Sequence, residues 1–449
     1  MHGTPRSVLT TLLVITLVAG CAGQAAPAGS SGPATAAPGS GVARSGPGSA
    51  GPIDEPGLAI SDVARLDADP ALALLAAEAI NELGFDLLRT GTDGTTNAVL
   101  SPASIALALA MARAGARGQT AAEMDEVLRD VASDQNAAWL AALDAALADR
   151  AGTFTTPEGI EHVLALRIVN APFAQVGFPW EQPYLDALAS RFGAGVRLVD
   201  YARSPEAARL AVNGWVNEQT EQRIPELLKQ GLVNDATRIV LVNAIYLKAA
   251  WLAQFRAEAT GPGTFHRLDG STVDVPMMHG SRMTAFAEGD GWFAVDLPYV
   301  GDQLSMLLIV PNDLPSFEAG LDATGLAAIV GGLAPNHLAL AMPRFGIETE
   351  LNLNEALYGL GMPSAFDRAS ADFSGMTAKE RLYIQAVVHQ ANIDVDEGGT
   401  EASAATGVVV GIVSMPRPVN IDRPFLFALR DRGTGAILFL GRVVEPVER

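Results

Sequence analysis

Residues able to carry acid–base, nucleophilic or metal chemistry are few in this chain. No Gly-x-Ser-x-Gly elbow would expose a nucleophilic serine. No His-Glu-x-x-His, and no histidine pair four residues apart, would hold zinc on a helix. The three lysines, Lys229, Lys248 and Lys379, lie outside glycine-rich settings, so there is no phosphate loop. One Gly-x-Gly-x-x-Gly, Gly46 to Gly51, sits in a Pro/Ser-rich stretch and not between a strand and a helix. The run Asp394-Val395-Asp396-Glu397-Gly398-Gly399 begins like a calcium loop. Its twelfth position, however, is Ala405, where a bidentate glutamate is needed. A single cysteine, Cys21, excludes an intrachain disulfide and a cysteine-based zinc site. Beyond His2, the histidines (His162, His266, His279, His337, His389) are scattered, and a Ser-His-Asp triad assembled in space stays open. No metal and no cofactor is expected.

The chain has 449 residues, 30 Lys+Arg against 50 Asp+Glu, and a net charge of -20. Such acidity argues against nucleic acid and against electrostatic attachment to anionic lipid. Apolar residues make up 49% and charged residues 18%, which is globular composition. Arg6 precedes an apolar stretch, Val8 to Val18, too short to span a bilayer as a helix. It reads as a secretory signal. Its end, Leu17-Val18-Ala19-Gly20-Cys21, resembles a bacterial lipobox, which implies cleavage before Cys21 and acylation of its thiol. Residues 22–56 are almost wholly Ala, Gly, Pro and Ser and cannot bury enough apolar surface to order themselves. The expected organisation is a signal over 1–20, a lipidated Cys21 with a tether to 56, and one domain over 57–449. It would sit outside the cytoplasm, membrane-anchored through Cys21 or secreted.

The elements of that domain are mixed. Residues 70–90 and 103–150 are Ala/Leu-rich with helical spacing, and Ser101-Pro102-Ala103-Ser104 marks a helix start. Ile239–Val242 and Met306–Val310 suit strands buried on both faces. Phe425–Leu429 and Ala436–Leu440 flank a Gly-containing turn and read as a hairpin. Helices come mostly first and strands mostly later, an α+β pattern. From Val387 to Val395 the alternation is that of a strand with His389 on its apolar face, where a buried imidazole needs partners. After it, residues 397–417 carry Glu401 as their only charge between Glu397 and Arg417. Taken as a strand from Thr400, the even positions Thr400, Ala402, Ala404, Thr406, Val408, Val410 and Ile412 are all small or apolar. Such a segment suits either an exposed loop or a buried central strand.

Several motifs occur in one order: Asn97 through Ser101-Pro102-Ala103-Ser104-Ile105, Asn213-Gly214-Trp215-Val216-Asn217, and Leu241-Val242-Asn243-Ala244-Ile245-Tyr246-Leu247-Lys248 with Trp251 and Phe255. Leu297-Pro298-Tyr299, Asp372-Phe373-Ser374-Gly375-Met376 and Asp422-Arg423-Pro424-Phe425-Leu426-Phe427 follow. With the segment Glu397-Gly398-Gly399-Thr400-Glu401-Ala402-Ser403-Ala404-Ala405, this set resembles the serpin family over roughly residues 70–449.

The resemblance implies three β-sheets, eight or nine helices and an exposed reactive-centre loop. It implies a suicide-substrate inhibitor of serine proteases and not an enzyme. Residues 397–405 would be the hinge and Val413-Ser414 the bait bond. Val413 would fill a small apolar specificity pocket, as in elastase-like proteases. Ser101, Ser104, Asn243 and His389 match the family's shutter, and Trp251 its breach, where Arg344 would pair with Glu397. The expected partner is a serine protease joined to a monomer as a covalent acyl-enzyme. Between residues 121 and 150 only Arg129 and Arg150 are basic, so no heparin-type activator is expected. Competing readings are a non-inhibitory binding protein of the same fold, a ligand-binding lipoprotein with two α/β lobes, and, last, a hydrolase.

Overall fold

A computed structural model describes residues 57–155, 159–400 and 415–447. The chain opens with β1 (Leu58–Ala59), α1 (Leu72–Gly91), β2 (Ala98–Leu100), α2 (Pro102–Gly115), α3 (Gly118–Val127) and α4 (Ala137–Ala148). It continues with β3 (Gly152–Thr155), β4 (Glu161–Gln175), α5 (Gln182–Phe192), β5 (Val196–Val199), α6 (Pro205–Gln219) and β6 (Ile239–Ala250). Four strands follow: β7 (Gly261–His266), β8 (Thr272–Gly289), β9 (Trp292–Pro298) and β10 (Leu304–Pro311). Next come α7 (Leu314–Gly320), α8 (Ala323–Gly331), β11 (Ala334–Pro343), β12 (Phe345–Asn352) and α9 (Asn354–Gly359). The last strands are β13 (Val387–Val395), the two-residue β14 (Gly399–Thr400), β15 (Arg417–Asn420), β16 (Phe425–Asp431) and β17 (Ile437–Val443).

The Ala/Leu-rich stretch over 103–150 is three helices. Its breaks fall beside Gly118 (φ +54°) and at Arg129 and Asp130 (φ 52° and 61°), left-handed positions that stop a helix. α2 starts where the sequence marks it: the Ser101 hydroxyl accepts from the Ser104 N–H, with Pro102 in the first turn. Every residue of α2 is buried, because sheet strands and other helices surround it.

One sheet runs β1-β5-β4-β6-β14-β13-β12, with β3 on β4. The other runs β15-β11-β8-β9-β10-β16-β17-β2, with β7 on β8. The three sheets the resemblance implied thus join into two hydrogen-bonded networks. The 18-residue β8 is the reason, since it pairs with β7, β11 and β9 along its length. Both apolar runs are doubly buried strands. Ile239, Leu241, Ile245 and Leu247 of β6 enter the main core. Val240, Val242 and Ala244 of β6 enter a smaller one with Val212 and Val216 of α6. The same second core explains why β13 is buried on both faces over Val387–Ala391 and alternates only beyond. The Phe425–Leu429 and Ala436–Leu440 segments pair as β16 and β17.

Arg442 of β17 is fully buried and bonds Glu318 of α7, the Asp93 carbonyl (2.6 Å) and the Thr96 carbonyl (2.9 Å). Arg442→Ala would leave the buried Glu318 without its cation. We expect a loss of about 3–5 kcal/mol, read as a lower urea midpoint.

Candidate functional site

β6 and β13 are parallel neighbours over only part of their length. Leu241–Ile245 pairs directly with Val387–Ala391. Beyond that the strands part, and Gly399–Thr400 lies between them, pairing with Ala250 and Ala249 on one side and with Val395 on the other. Among the described residues the central sheet is therefore closed at one end and occupied at the other by Gly399–Thr400. Between these ends, residues 246–248 and 392–394 face each other across a gap that no strand fills among the described residues.

At the open end the backbone is pinned. Trp251 N–H donates to the Gly398 carbonyl at 2.9 Å and Phe255 N–H to the Glu397 carbonyl at 3.0 Å. The Trp251 indole N–H reaches the Asp396 carbonyl at 2.9 Å, and its ring stacks on Tyr299 at 4.5 Å. The Tyr299 hydroxyl meets the Thr400 hydroxyl at 2.7 Å. Gly399 has φ +148°, and a Cβ there would lie 2.2 Å from the Ala249 carbonyl oxygen, so only glycine fits. Arg344 grips the buried Glu397 carboxylate, with Nε at 2.8 and 2.9 Å from its two oxygens and Nη2 at 2.6 Å. Thr260 Oγ1 donates to the same carboxylate. Burial pushes the Glu397 carboxyl up, but the Arg344 and Thr260 bonds outweigh it and hold it below its usual range. Burial pushes the neighbouring Asp396 carboxyl up, against N–H donors from Gly398 and Gly399.

At the closed end a polar row crosses three strands. Asn170 of β4 is opposite Asn243 of β6, which is opposite His389 of β13. Asn243 Nδ2 donates to Asn170 Oδ1 (2.7 Å) and to Ser104 Oγ (2.6 Å). His389 Nδ1 meets Asn243 Oδ1, and its Nε2 accepts the Ser101 N–H at 3.0 Å. The ring is thus a neutral Nδ1–H tautomer with both nitrogens used. Ser101, Ser104, Asn243 and His389 are brought together, as are Trp251, Arg344 and Glu397–Thr400. Glu401, Ala402, Ser403, Ala404, Ala405, Val413, Ser414 and Cys21 lie outside the described residues. Asn170 and Thr260 belong to these clusters but were not singled out from the sequence, and Tyr299 was quoted there only as part of the Leu297-Pro298-Tyr299 motif. Asn170 carried a usable signal, a polar residue amid the apolar positions of a long strand.

Complete burial lowers the His389 pKa to about 3. The unfolded chain would bind a proton here near the ordinary 6.5, so it holds more protons than the folded one between those values. Stability from this group is full above about pH 6.5 and falls progressively toward pH 3. We expect the urea midpoint to drop over that range. His389→Asn should flatten the slope there, whatever it does to the midpoint at neutral pH.

The model of the family described as Serpin (serine protease inhibitor) matches residues 78–446. A serpin-like protein of Thermococcus kodakarensis is 38% identical over 375 residues, covering 82% of this chain and 85% of its own. Leukocyte elastase inhibitor of Equus caballus is 34% identical over 369 residues, covering 79% and 94%. The solved structure of the thermophilic serpin tengpin in the native state superposes with a TM-score of 0.74 at 24% identity, over 86% of this chain and 97% of that one. A matched family model over most of the chain, relatives of this similarity and the shared fold together establish that the chain belongs to the serpin family.

Proposed function

We propose that this serpin inhibits elastase-like serine proteases as a suicide substrate, by inserting its cleaved loop into the gap between β6 and β13. The observation that carries the reading is the position of β14. Its two residues already pair with both neighbours at the mouth of the gap. Continuing that register puts residue 406 opposite both Asn243 and His389, which face each other now. A new strand would then need the two strands to separate sideways, with no slip along their length. Ala402, Ala404, Thr406, Val408 and Val410 would lie on the face that Leu247, Ile245, Asn243, Leu241 and Ile239 present to the main core. Their small or apolar side chains suit that site.

The protease would attack the Val413 carbonyl and form an acyl-enzyme, with Ser414 as the new amino end. Residues 400–413 would then pair into the sheet and carry the attached protease along. Continued pairing with both neighbours, in the register Thr400 already has, would drive the step. The polar row would be remade around the new strand, and the Arg344–Glu397 pair would hold the hinge until cleavage. The likeness to relatives named leukocyte elastase inhibitor supports the target class. The protein would act as a monomer outside the cytoplasm, anchored to the membrane through Cys21 or secreted. β1 joins the sheet on β5, beside β4 residues Phe173–Gln175 and so near Ile239 of β6. Leu58, near the first described residue, therefore lies roughly 33 Å along the sheet from Gly399.

Mixing residues 57–449 with leukocyte elastase should give a covalent adduct that survives denaturant near the summed mass. The released fragment should start at Ser414. Thr400 is buried between Ala249 and Val395, so Thr400→Arg should block insertion and turn the inhibitor into a substrate cut at the same bond. Cleavage of the unmutated protein without adduct would overturn the inhibitory reading in favour of a non-inhibitory member.

A further inference from the structure

A cleft of about 460 Å³ opens between the β8–β9 turn, the loop after β10, and β15 with the link to β16. Its aromatic lining is Phe286, Trp292 and Phe293. Gly289 shapes it, since a Cβ there would lie 2.5 Å from the Trp292 ring. Two of the chain's own guanidinium groups already use these rings. Arg417 lies 4.4 Å from the Phe286 ring centre and Arg423 lies 5.4 Å from that of Phe293. Each also has an acid: Arg417 pairs with Glu288, and Arg423 Nη1 is 3.4 Å from Asp422 Oδ1. The cleft is thus a paired seat of ring face plus carboxylate, the combination that holds a basic side chain.

Its place decides what could reach it. Arg417 is three residues after Ser414, so it lies at most about 11 Å from the proposed bait bond, whatever path the chain takes between them. A protease seated on that bond would cover the cleft with the surface that flanks its leaving-group side. Resting on the inhibitory reading above, we propose that this cleft is a second contact for the attacking protease. It would take an arginine or lysine from that protease's surface. The incoming cation would share or replace Arg417 on Glu288, and its stem would lie along Phe286 and Trp292. The net charge of -20 would draw such a basic surface toward the serpin before contact.

Arg417 and Glu288 are both largely exposed, so their variants should fold, which circular dichroism would verify. The association rate constant for covalent capture of leukocyte elastase would be measured for wild type, Arg417→Ala and Glu288→Gln, at low and high salt. Vacating the seat with Arg417→Ala should speed capture. Removing its anion with Glu288→Gln should slow it, each by about threefold or more. Both differences should shrink as salt rises. A general disturbance of the loop anchor would move the two variants in the same direction. Rates that agree with wild type, or that shift together, overturn the second contact while leaving inhibition intact. Failure of the wild type to form any adduct overturns the inhibitory reading and this contact with it.

Discussion

The unfinished pairing between β6 and β13 is the constraint on which the rest of the structure turns. Each of these strands is hydrogen-bonded to the other over five residues and then diverges. Past those five pairs, no direct β6–β13 pairing continues among the described residues, whereas β4 stays paired with β6 and β12 with β13. At the mouth β14 lies between the two strands, with a glycine that no other residue could replace.

Two clusters of polar side chains hold the ends of this arrangement, by different physics. The closed end relies on neutral groups: a row of amide, imidazole and hydroxyl side chains that satisfy one another behind the sheet. Neutral partners can be exchanged without stranding a charge, so such a row tolerates a change of neighbours better than an ion pair does. The open end relies on charge. Glu397 is buried yet ionised because Arg344 and Thr260 supply donors from the β11–β12 and β6–β7 connections. The arginine here gives a bidentate grip that a lysine would not.

The stretch from Arg417 to Arg423 follows a third pattern. β15 is an edge strand carrying Pro418, and it lies parallel to β11. Arg417 and Arg423, at and just past this strand, lie on aromatic faces contributed by β8 and β9. The segment from Glu397 to Arg417 is thus anchored at one end by the charged clamp of Arg344 and at the other by an aromatic one. Both anchors adjoin the network built on β8 and β11.

Much of this is legible in the order of residues alone. The period-2 run over Val387–Val395 identifies the strand and the buried His389, because a sheet has two faces and alternation reports them. Unbroken apolar runs identify β6 and β10, because both their faces are covered. Ser101-Pro102 marks the start of α2 through capping chemistry that is local in the chain. The three-way split of the Ala/Leu-rich region is only partly visible there: Gly118 marks the first break, but the second depends on left-handed residues Arg129 and Asp130 that carry no composition signal. Nor are Asn170, Thr260 and Tyr299 placed by it, because each joins its cluster across strands distant in sequence. Local pattern, capping and motif order determined the family and most of the elements. Only the tertiary structure decided where the sheet stops pairing, since register between β6, β13 and β14 is a relation among segments that no one of them encodes alone.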